Sequence, residues 1–173
     1  MNTIRITSGA KKGRIIETPG GATHPMGERE RLALFNMISE ELQGAEVLDA
    51  FAGSGALGIE ALSRGAKAVT FVEKNPEAVK VIRKNLADLD MDANVVLVKV
   101  SSFQASKKYD IILADPPYES FDLNEVNTLI TMTKKGGTLV LSHPNEAPSL
   151  DTLSLIKTHK YARARISIYK NAE

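Results

Sequence analysis

From residue 45 onward the apolar positions fall into two alternating patterns. Short continuous runs at 46–51, 68–73, 94–99, 109–114 and 137–142 predict strands. Between them, stretches at about 55–64 and 76–89 repeat their apolar residues at helical spacing. In the second stretch Val79, Ile82, Leu86 and Leu89 recur at spacings of 3, 4 and 3. Asn75 stands there as an N-cap and Pro76 at the first helical position, where its missing N–H costs nothing. A weaker helix is predicted over 122–133. Strands alternating with helices imply an α/β fold with a doubly wound, mostly parallel, Rossmann-like sheet. The last runs, 152–158 and 163–170, break the alternation across a short polar turn and predict an antiparallel pair.

The first 44 residues read differently. Thr3–Thr7 alternates, Gly9–Gly13 turns and Arg14–Thr18 returns, which predicts a β-hairpin. From Glu28 to Leu42 the residues Leu32, Phe35, Ile38 and Leu42 recur at spacings of 3, 3 and 4, predicting a helix with that face buried and Gly44 as its stop. A hairpin is marginal alone and must dock on something. The chain therefore divides into an appendage over 1–44 and a sheet domain over 45–173.

Composition narrows the class only slightly. A chain of 173 residues with 43% hydrophobic and 25% charged residues suits one α/β domain with a small appendage. Its net charge of +1 gives no global push toward nucleic acid, so any such surface must be a local patch. With no cysteine, disulfides and thiolate metal sites are excluded, and a cytoplasmic setting is expected. The three histidines lack ligand-like spacing, so no metal is expected. The amino terminus lacks the apolar core of a signal peptide, and no apolar run approaches the ~20 residues of a membrane span.

The candidate chemistry begins at Asp49-Ala50-Phe51-Ala52-Gly53-Ser54-Gly55-Ala56-Leu57-Gly58, a strand running into a glycine turn that opens a helix. The glycines permit a tight turn and close approach of a ligand to the backbone. Glu73 closes the next strand, where a carboxylate can accept hydrogen bonds from ribose hydroxyls; Lys74 beside it reads as a solvated charge. Alone, this pattern fits a dinucleotide dehydrogenase as well as a methyl-donor site, and an unliganded glycine turn is the plainer alternative. Asp49 tips the balance, because a carboxylate there suits the ammonium of a methionine moiety and repels a pyrophosphate. Ser101, Ser102 and Phe103 follow the third strand, where backbone N–H groups and the Phe103 ring can hold an adenine, although such a Phe is as readily core.

Asp115-Pro116-Pro117-Tyr118 follows the buried run 109–114. Ligands of open α/β sheets bind outside the carboxyl ends of strands. An exocyclic amine is a poor nucleophile, since its lone pair is delocalised into the base. The Asp115 carboxylate and the Pro116 carbonyl can accept its two N–H groups, and Tyr118 can stack on a flipped-out base. A strand-terminating turn is the plainer reading of this segment alone. Placed after Asp49–Gly58, it points to methyl transfer from S-adenosylmethionine to a nucleic acid base.

With both motifs in place the chain resembles the bacterial RsmD family, whose members methylate N2 of one guanine in 16S ribosomal RNA. Gly9-Ala10-Lys11-Lys12-Gly13-Arg14 is similar to the family's Gly-x-x-x-Gly-Arg hairpin, and Pro25, Arg29, Arg31 and Leu34-Phe35-Asn36 to its following loop and helix. Asp49–Ala66, Phe71-Val72-Glu73-Lys74 and Asp115–Tyr118 follow in order. The resemblance implies donor contacts from His24, Pro25, Asp49, Phe51, Ala52, Gly53, Ser54, Gly55, Leu57, Gly58, Glu73, Lys74, Ser102, Phe103 and Asp115, and catalysis by Asp115, Pro116, Pro117 and Tyr118. His24, Met26, Leu32 and Ser101 depart from its usual Arg, Thr, Glu and Asp. It further implies action on 16S ribosomal RNA; with no room for a large target-recognition domain, a partly assembled small subunit is the expected substrate, and a monomer is expected.

Arg5, Lys11, Lys12 and Arg14 stand against Glu17 alone in residues 1–20, a local net charge of +3. Such a tip is either solvated or a phosphate contact. Arg29 and Arg31 join it as RNA candidates, unless they pair with Glu28 or Glu30. Arg163 and Arg165 alternate on the last strand and are expected to face solvent. The Asp-Pro-Pro-Tyr corner also suits an adenine-N6 methyltransferase, and a non-catalytic donor-binding protein that docks on RNA is the alternative from another class.

Overall fold

The apolar runs become the parallel strands of one large sheet, because strands covered on both faces need no polar alternation. The computed structural model describes residues 2–21, 25–161 and 164–172. Strands β1 (Thr3–Arg5) and β2 (Ile15–Glu17) form an antiparallel hairpin, followed by α1 (Glu28–Met37) and the short α2 (Ser39–Leu42). Then come β3 (Glu46–Asp49), α3 (Ala56–Ser63), β4 (Ala68–Glu73), α4 (Pro76–Asp88), β5 (Asn94–Leu97), β6 (Tyr109–Ala114), α5 (Leu123–Ile130), β7 (Thr133–His143), β8 (Leu153–Lys160) and β9 (Arg165–Asn171). The seven strands from β3 onward lie in the order β5-β4-β3-β6-β7-β9-β8, parallel from β5 through β7. No described helix is long and apolar enough to cross a membrane.

The antiparallel ending is present, with an order that periodicity does not reveal. β9 pairs with both β7 and β8, so the later strand occupies the interior and β8 the edge. Ile166, Ile168 and Tyr169 of β9 are buried, whereas Leu155 and Ile156 of β8 are 49% and 60% exposed. The strand with apolar residues for both faces takes the doubly covered place. A bulge between Leu155 and Lys157 and the lysine itself blunt the exposed edge. β7 starts at Thr133 rather than 137, and the predicted helix over 122–133 stops at Ile130. The crossover from β5 to β6 carries only a 3-10 turn, Val100–Ser102.

The core has two parts, one on each face of the sheet. On one face Ile59 of α3 and Ile82 of α4 pack with Val47, Phe71, Ile111 and Val140. Ile6 and Ile16 of the hairpin and Leu34, Phe35, Ile38 and Leu42 of the helical segment belong to this same cluster. On the other face Val126 and Leu129 of α5 meet Leu48, Val72, Ile112, Leu139 and Leu141.

The helix predicted from Glu28 to Leu42 breaks at Ile38, and its buried face is turned by one residue. Leu32 is 42% exposed, whereas Arg31 is 2% exposed. An arginine can replace leucine on a buried face only if its donors find partners. Arg31 donates from Nη1 to the Met26 carbonyl at 2.7 Å and from Nη2 to the Arg5 carbonyl at 2.8 Å. Burial pulls its pKa below the usual arginine value, partly offset by Glu60, Glu28 and Glu30. The expectation that Arg31 touches RNA is thereby corrected: its guanidinium is enclosed and holds the loop and the hairpin together.

Polar docking completes the attachment of the hairpin. Glu60 on α3 is 1% exposed. Its carboxylate accepts the N–H groups of Thr7 and Ser8, each at 3.0 Å, the Thr7 hydroxyl, and Nε of Arg64 at 3.2 Å. Ser63 donates its hydroxyl to the Ser8 carbonyl at 2.6 Å and accepts the Lys11 N–H at 3.0 Å. Removing Glu60 leaves these donors enclosed without an acceptor. Glu60→Ala should therefore lower the unfolding free energy by about 3 kcal/mol and speed amide exchange at Thr7 and Ser8. An unchanged urea midpoint would show that apolar contacts alone hold the hairpin.

Candidate active site

The site lies where the chain order of the sheet reverses. From β3 the chain crosses through α3 to β4 on one side, while β6 lies on the other side. As it leaves β3 the backbone touches both neighbours: Ala50 N–H donates to the Leu113 carbonyl at 2.9 Å, and Ala52 N–H to the Val72 carbonyl at 3.1 Å. Diverging connections open a crevice at the carboxyl ends of β3 and β6, the usual ligand position in such sheets.

The glycine turn is built for close packing as well as for bending. Gly55 caps α3 in a left-handed conformation, φ 81°, which other residues adopt only with strain. A Cβ on Gly58 would stand 2.3 Å from the Phe71 ring, so α3 can lie this close to β4 only with glycine there. Ala52, Ser54 and Leu57 are buried within the turn, and Phe51 is half-buried against the core of the second face.

Asp49 ends β3 and is 1% exposed. Its Oδ2 accepts the Gly58 N–H at 2.9 Å, while Oδ1 is buried without a partner. Burial pushes its pKa to about 7; the Gly58 N–H opposes that rise, and the charges of Asp115 and Glu73 add to it. A buried, unpaired carboxylate oxygen is costly unless a donor meets it. This atom therefore fits a ligand ammonium, and the residues present suit a cationic group better than a pyrophosphate.

Glu73 at the end of β4 ties down the turn, its Oε2 accepting the Gly53 N–H at 2.8 Å and its Oε1 the Asn75 N–H at 2.9 Å. An ionised carboxylate has about four acceptor positions, so two remain for ribose hydroxyls. Lys74 is exposed. The N–H groups of Ser102 and Phe103, expected to hold an adenine, instead close the 3-10 turn on the Lys99 and Val100 carbonyls at 3.0 and 3.1 Å. What those residues offer is the Ser102 hydroxyl and the half-buried Phe103 ring, which packs against the second core. Both also line a groove of about 1040 Å³ that runs past Val96 to Lys67 and Tyr109, away from the strand ends.

β6 delivers Asp115 to the other side of the crevice, with Pro116 buried, Pro117 exposed and Tyr118 half-buried in a 3-10 turn. Burial raises the Asp115 pKa to about 6, against the lowering effect of the nearby Ser142 hydroxyl. The Tyr118 hydroxyl is hydrogen-bonded to the same Ser142 Oγ. Burial also raises the Tyr118 pKa, the Ser142 bond lowers it, and the Asp115 charge raises it further.

Two residues of the site were not anticipated. Ser142 is a polar residue at the carboxyl end of an apolar strand, and the Ala114–Leu141 pairing brings it beside Asp115. That ending was its only signal. Asn85 lies on the buried face of α4, where a polar residue at core spacing is conspicuous. It accepts the Glu17 N–H and donates to the Glu17 carbonyl, both at 2.9 Å, and donates to the Ser54 carbonyl at 3.2 Å. It thus clamps the hairpin to the glycine turn.

His24 and Arg163 lie outside the described residues. Pro25 is half-buried in the approach to α1, and Arg29 is exposed. Arg5 and Arg14 donate to the Gly13 and Asp88 carbonyls, each at 2.9 Å. Arg165 bonds the Pro144 carbonyl at 2.8 Å rather than simply facing solvent. Lys12 is exposed, and Lys11 half-buried. The hairpin tip docks on Ser63, at the far end of α3 from the glycine turn. Eight helical residues span about 12 Å, so this tip lies well away from the glycine turn.

The model of the family described as "Conserved hypothetical protein 95" matches residues 4–170. The protein YlbH of Bacillus subtilis is 34% identical over 181 residues, spanning 96% of this chain and 98% of its own. A protein named ribosomal RNA small subunit methyltransferase D, from Buchnera aphidicola subsp. Baizongia pistaciae, is 33% identical over 99% of this chain and 93% of its own. Among solved structures, yhhF of Escherichia coli superimposes with a TM-score of 0.90 at 31% identity, covering 98% of each chain.

The raised pKa of Asp49 makes a prediction that needs no ligand. Between the ordinary aspartate value of about 3.9 and about 7, the folded chain keeps a proton that the unfolded chain has lost. Folding stability should then fall as pH rises through this window. Asp49→Asn should flatten the fall, leaving the smaller contribution of Asp115, which ends near pH 6. Urea unfolding at pH 4.5, 6 and 7.5 measures it, and identical slopes in the two proteins would contradict the assignment.

Proposed function

The chain belongs to the family described as Conserved hypothetical protein 95, and from that premise we propose that it methylates N2 of a guanine in small-subunit (16S) ribosomal RNA, using S-adenosylmethionine. The observation that carries this reading is the buried Asp49 Oδ1 without a hydrogen-bond partner at the end of β3, beside β6, whose carboxyl end leads into the Asp115–Tyr118 corner. S-adenosylmethionine supplies a methyl group on a positively charged sulfur. Asp49 would face its ammonium and Glu73 its ribose hydroxyls, with Phe103 beside the adenine. These two carboxylates at neighbouring strand ends suit a cationic donor.

The remaining chemistry belongs to the other wall. At neutral pH Asp115, with a pKa of about 6, is mainly ionised and therefore an acceptor. It and the Pro116 carbonyl would take the two N–H groups of the amine, turning the nitrogen lone pair toward the methyl. Tyr118 would stack on the base. Catalysis of this kind is orientation and electrostatics. Among the described residues no group of His, Asp and Glu side chains is placed to hold a metal ion.

The choice of ribosomal RNA follows the name carried by the Buchnera relative, and the choice of guanine N2 follows the resemblance of the hairpin and α1 to the RsmD family. Residues 1–44 are then the RNA-contacting appendage. A net charge of +1 gives little non-specific hold on RNA, which favours a partly assembled subunit that presents the guanine to a monomeric, cytoplasmic enzyme. Incubating small-subunit particles with labelled donor and mapping the modified nucleosides tests the whole reading. N2-methylguanosine is expected; N6-methyladenosine in its place would overturn it.

Asp115→Ala should remove most single-turnover activity while the donor dissociation constant stays within about twofold, since the side chain is assigned to the amine. Parental rates in this variant would contradict the assignment. Lys11 and Lys12 make a separate prediction, as side chains of the basic tip. Replacing both by Ala should weaken RNA binding and lower the slope of log affinity against log salt by about 1–2, with donor binding intact. An unchanged salt slope would place the RNA elsewhere.

A further inference from the structure

We propose that the amino-terminal hairpin belongs to the donor site, acting through Asn85 as a positioning residue that fixes the Ser54–Gly55 peptide of the glycine turn. This role rests on the proposed reading of the Asp49–Gly58 turn as the place of S-adenosylmethionine. It adds a residue of α4 and a strand of the appendage to that site.

One carboxamide joins the hairpin to the turn. Asn85 is 2% exposed, so its partners must come from the protein. A carboxamide has an oxygen that accepts and an NH2 group with two protons to give. Oδ1 accepts the Glu17 N–H at 2.9 Å, and Nδ2 donates to the Glu17 carbonyl at 2.9 Å. Glu17 of β2 thus offers both its backbone groups and leaves the carboxamide a single orientation. Reversing it would set donor against donor and acceptor against acceptor. One proton of Nδ2 remains, and it goes to the Ser54 carbonyl at 3.2 Å.

That last bond acts on the peptide unit between Ser54 and Gly55. Its carbonyl is held by Asn85, and its N–H donates to the Ala52 carbonyl at 2.7 Å. A peptide is planar, so a unit held at both ends cannot turn without breaking a bond. Gly55 follows in the left-handed conformation, φ 81°, and glycine also accepts the conformations that a flipped peptide requires. Ser54 is 5% exposed, so a released carbonyl finds no ready water. Glu73 holds the Gly53 N–H and Asp49 the Gly58 N–H, which makes Asn85 the third anchor of the turn. Among the described side chains no other is hydrogen-bonded to both the hairpin and the turn. The other bonds between hairpin and α4, from Lys84 to Glu17 and from Arg14 to the Asp88 carbonyl, are exposed and do not reach it.

The consequence is a thermodynamic link: a donor that requires this turn geometry favours the docked hairpin, and the docked hairpin favours the donor. Amide exchange in the unaltered protein reads the first direction. Saturating S-adenosylmethionine should slow the Glu17 amide about fivefold more than those of Thr7 and Ser8, which Glu60 holds instead. Asn85→Ala reads the second. It should weaken donor binding about tenfold in calorimetric titration, as expected for loss of one enclosed hydrogen bond, and speed exchange at Gly55. Single-turnover rates at saturating donor should stay within about twofold. Ser63→Ala frees the hairpin tip without touching the turn, and should leave the donor dissociation constant within about twofold. Equal protection of Glu17, Thr7 and Ser8 by the donor would overturn the inference, as would equal donor affinity in Asn85→Ala and Ser63→Ala. If Asn85→Ala does not fold, the exchange experiment on the unaltered protein decides alone. Faster exchange at Gly55 in Asn85→Ala, with no binding of S-adenosylmethionine by the parent, would uphold the peptide lock and sink the donor reading of the turn instead.

Discussion

The bond from the Gly58 N–H to the buried carboxylate of Asp49 governs the direction in which α3 leaves β3. It joins the last residue of a central strand to the first turn of the helix that crosses to β4. With α3 drawn in, Gly58 must lie against Phe71 with no room for a Cβ, and the turn between must double back through left-handed glycines. The same contact engages only one oxygen. The other is buried without a hydrogen-bond partner, so the geometry that packs the helix leaves an acceptor that suits a cation.

Charge accumulates around that atom because the sheet is parallel. Strands that run the same way bring their carboxyl ends to one edge: β4 and β3 end on Glu73 and Asp49, and Asp115 directly follows β6. Burial and mutual repulsion hold Asp49 partly protonated near neutrality, and burial brings Asp115 close to the same range. Free carboxylates in such a place oppose folding, whereas a ligand carrying positive charge relieves them. The preference for a cation and the fall of stability with rising pH thus have one electrostatic cause.

The appendage is held by a different device. Its apolar residues join the core of one sheet face, but its orientation comes from three enclosed polar side chains, Arg31, Glu60 and Asn85. Each satisfies backbone groups that sheet pairing would otherwise serve. Apolar contacts tolerate sliding, while a buried guanidinium or carboxylate that loses its partners does not. The hairpin is therefore oriented relative to the crevice although it shares no strand pairing with the main sheet. Its basic tip is carried to the far end of α3.

Local sequence was enough for whatever depends on neighbours along the chain. Period and run length marked the parallel strands and the helices, since strands covered on both faces need continuous apolar residues and surface helices need a stripe. The Asp49–Gly58 turn and the Asp115–Tyr118 corner were legible for the same reason: each is one contiguous segment with its chemistry inside it. Only the tertiary structure decided what depends on partners far away. β9 lies inside β8 because burial, not chain order, selects the interior strand. Arg31 displaces Leu32 from the buried face because the Met26 and Arg5 carbonyls converge there. The backbone donors of Ser102 and Phe103 are consumed by a turn that replaces a crossover helix. Ser142 meets the Tyr118 hydroxyl only through the pairing of β6 with β7. A hydroxyl twenty-odd residues distant carries no periodic signal, and its role exists only once two strands lie side by side.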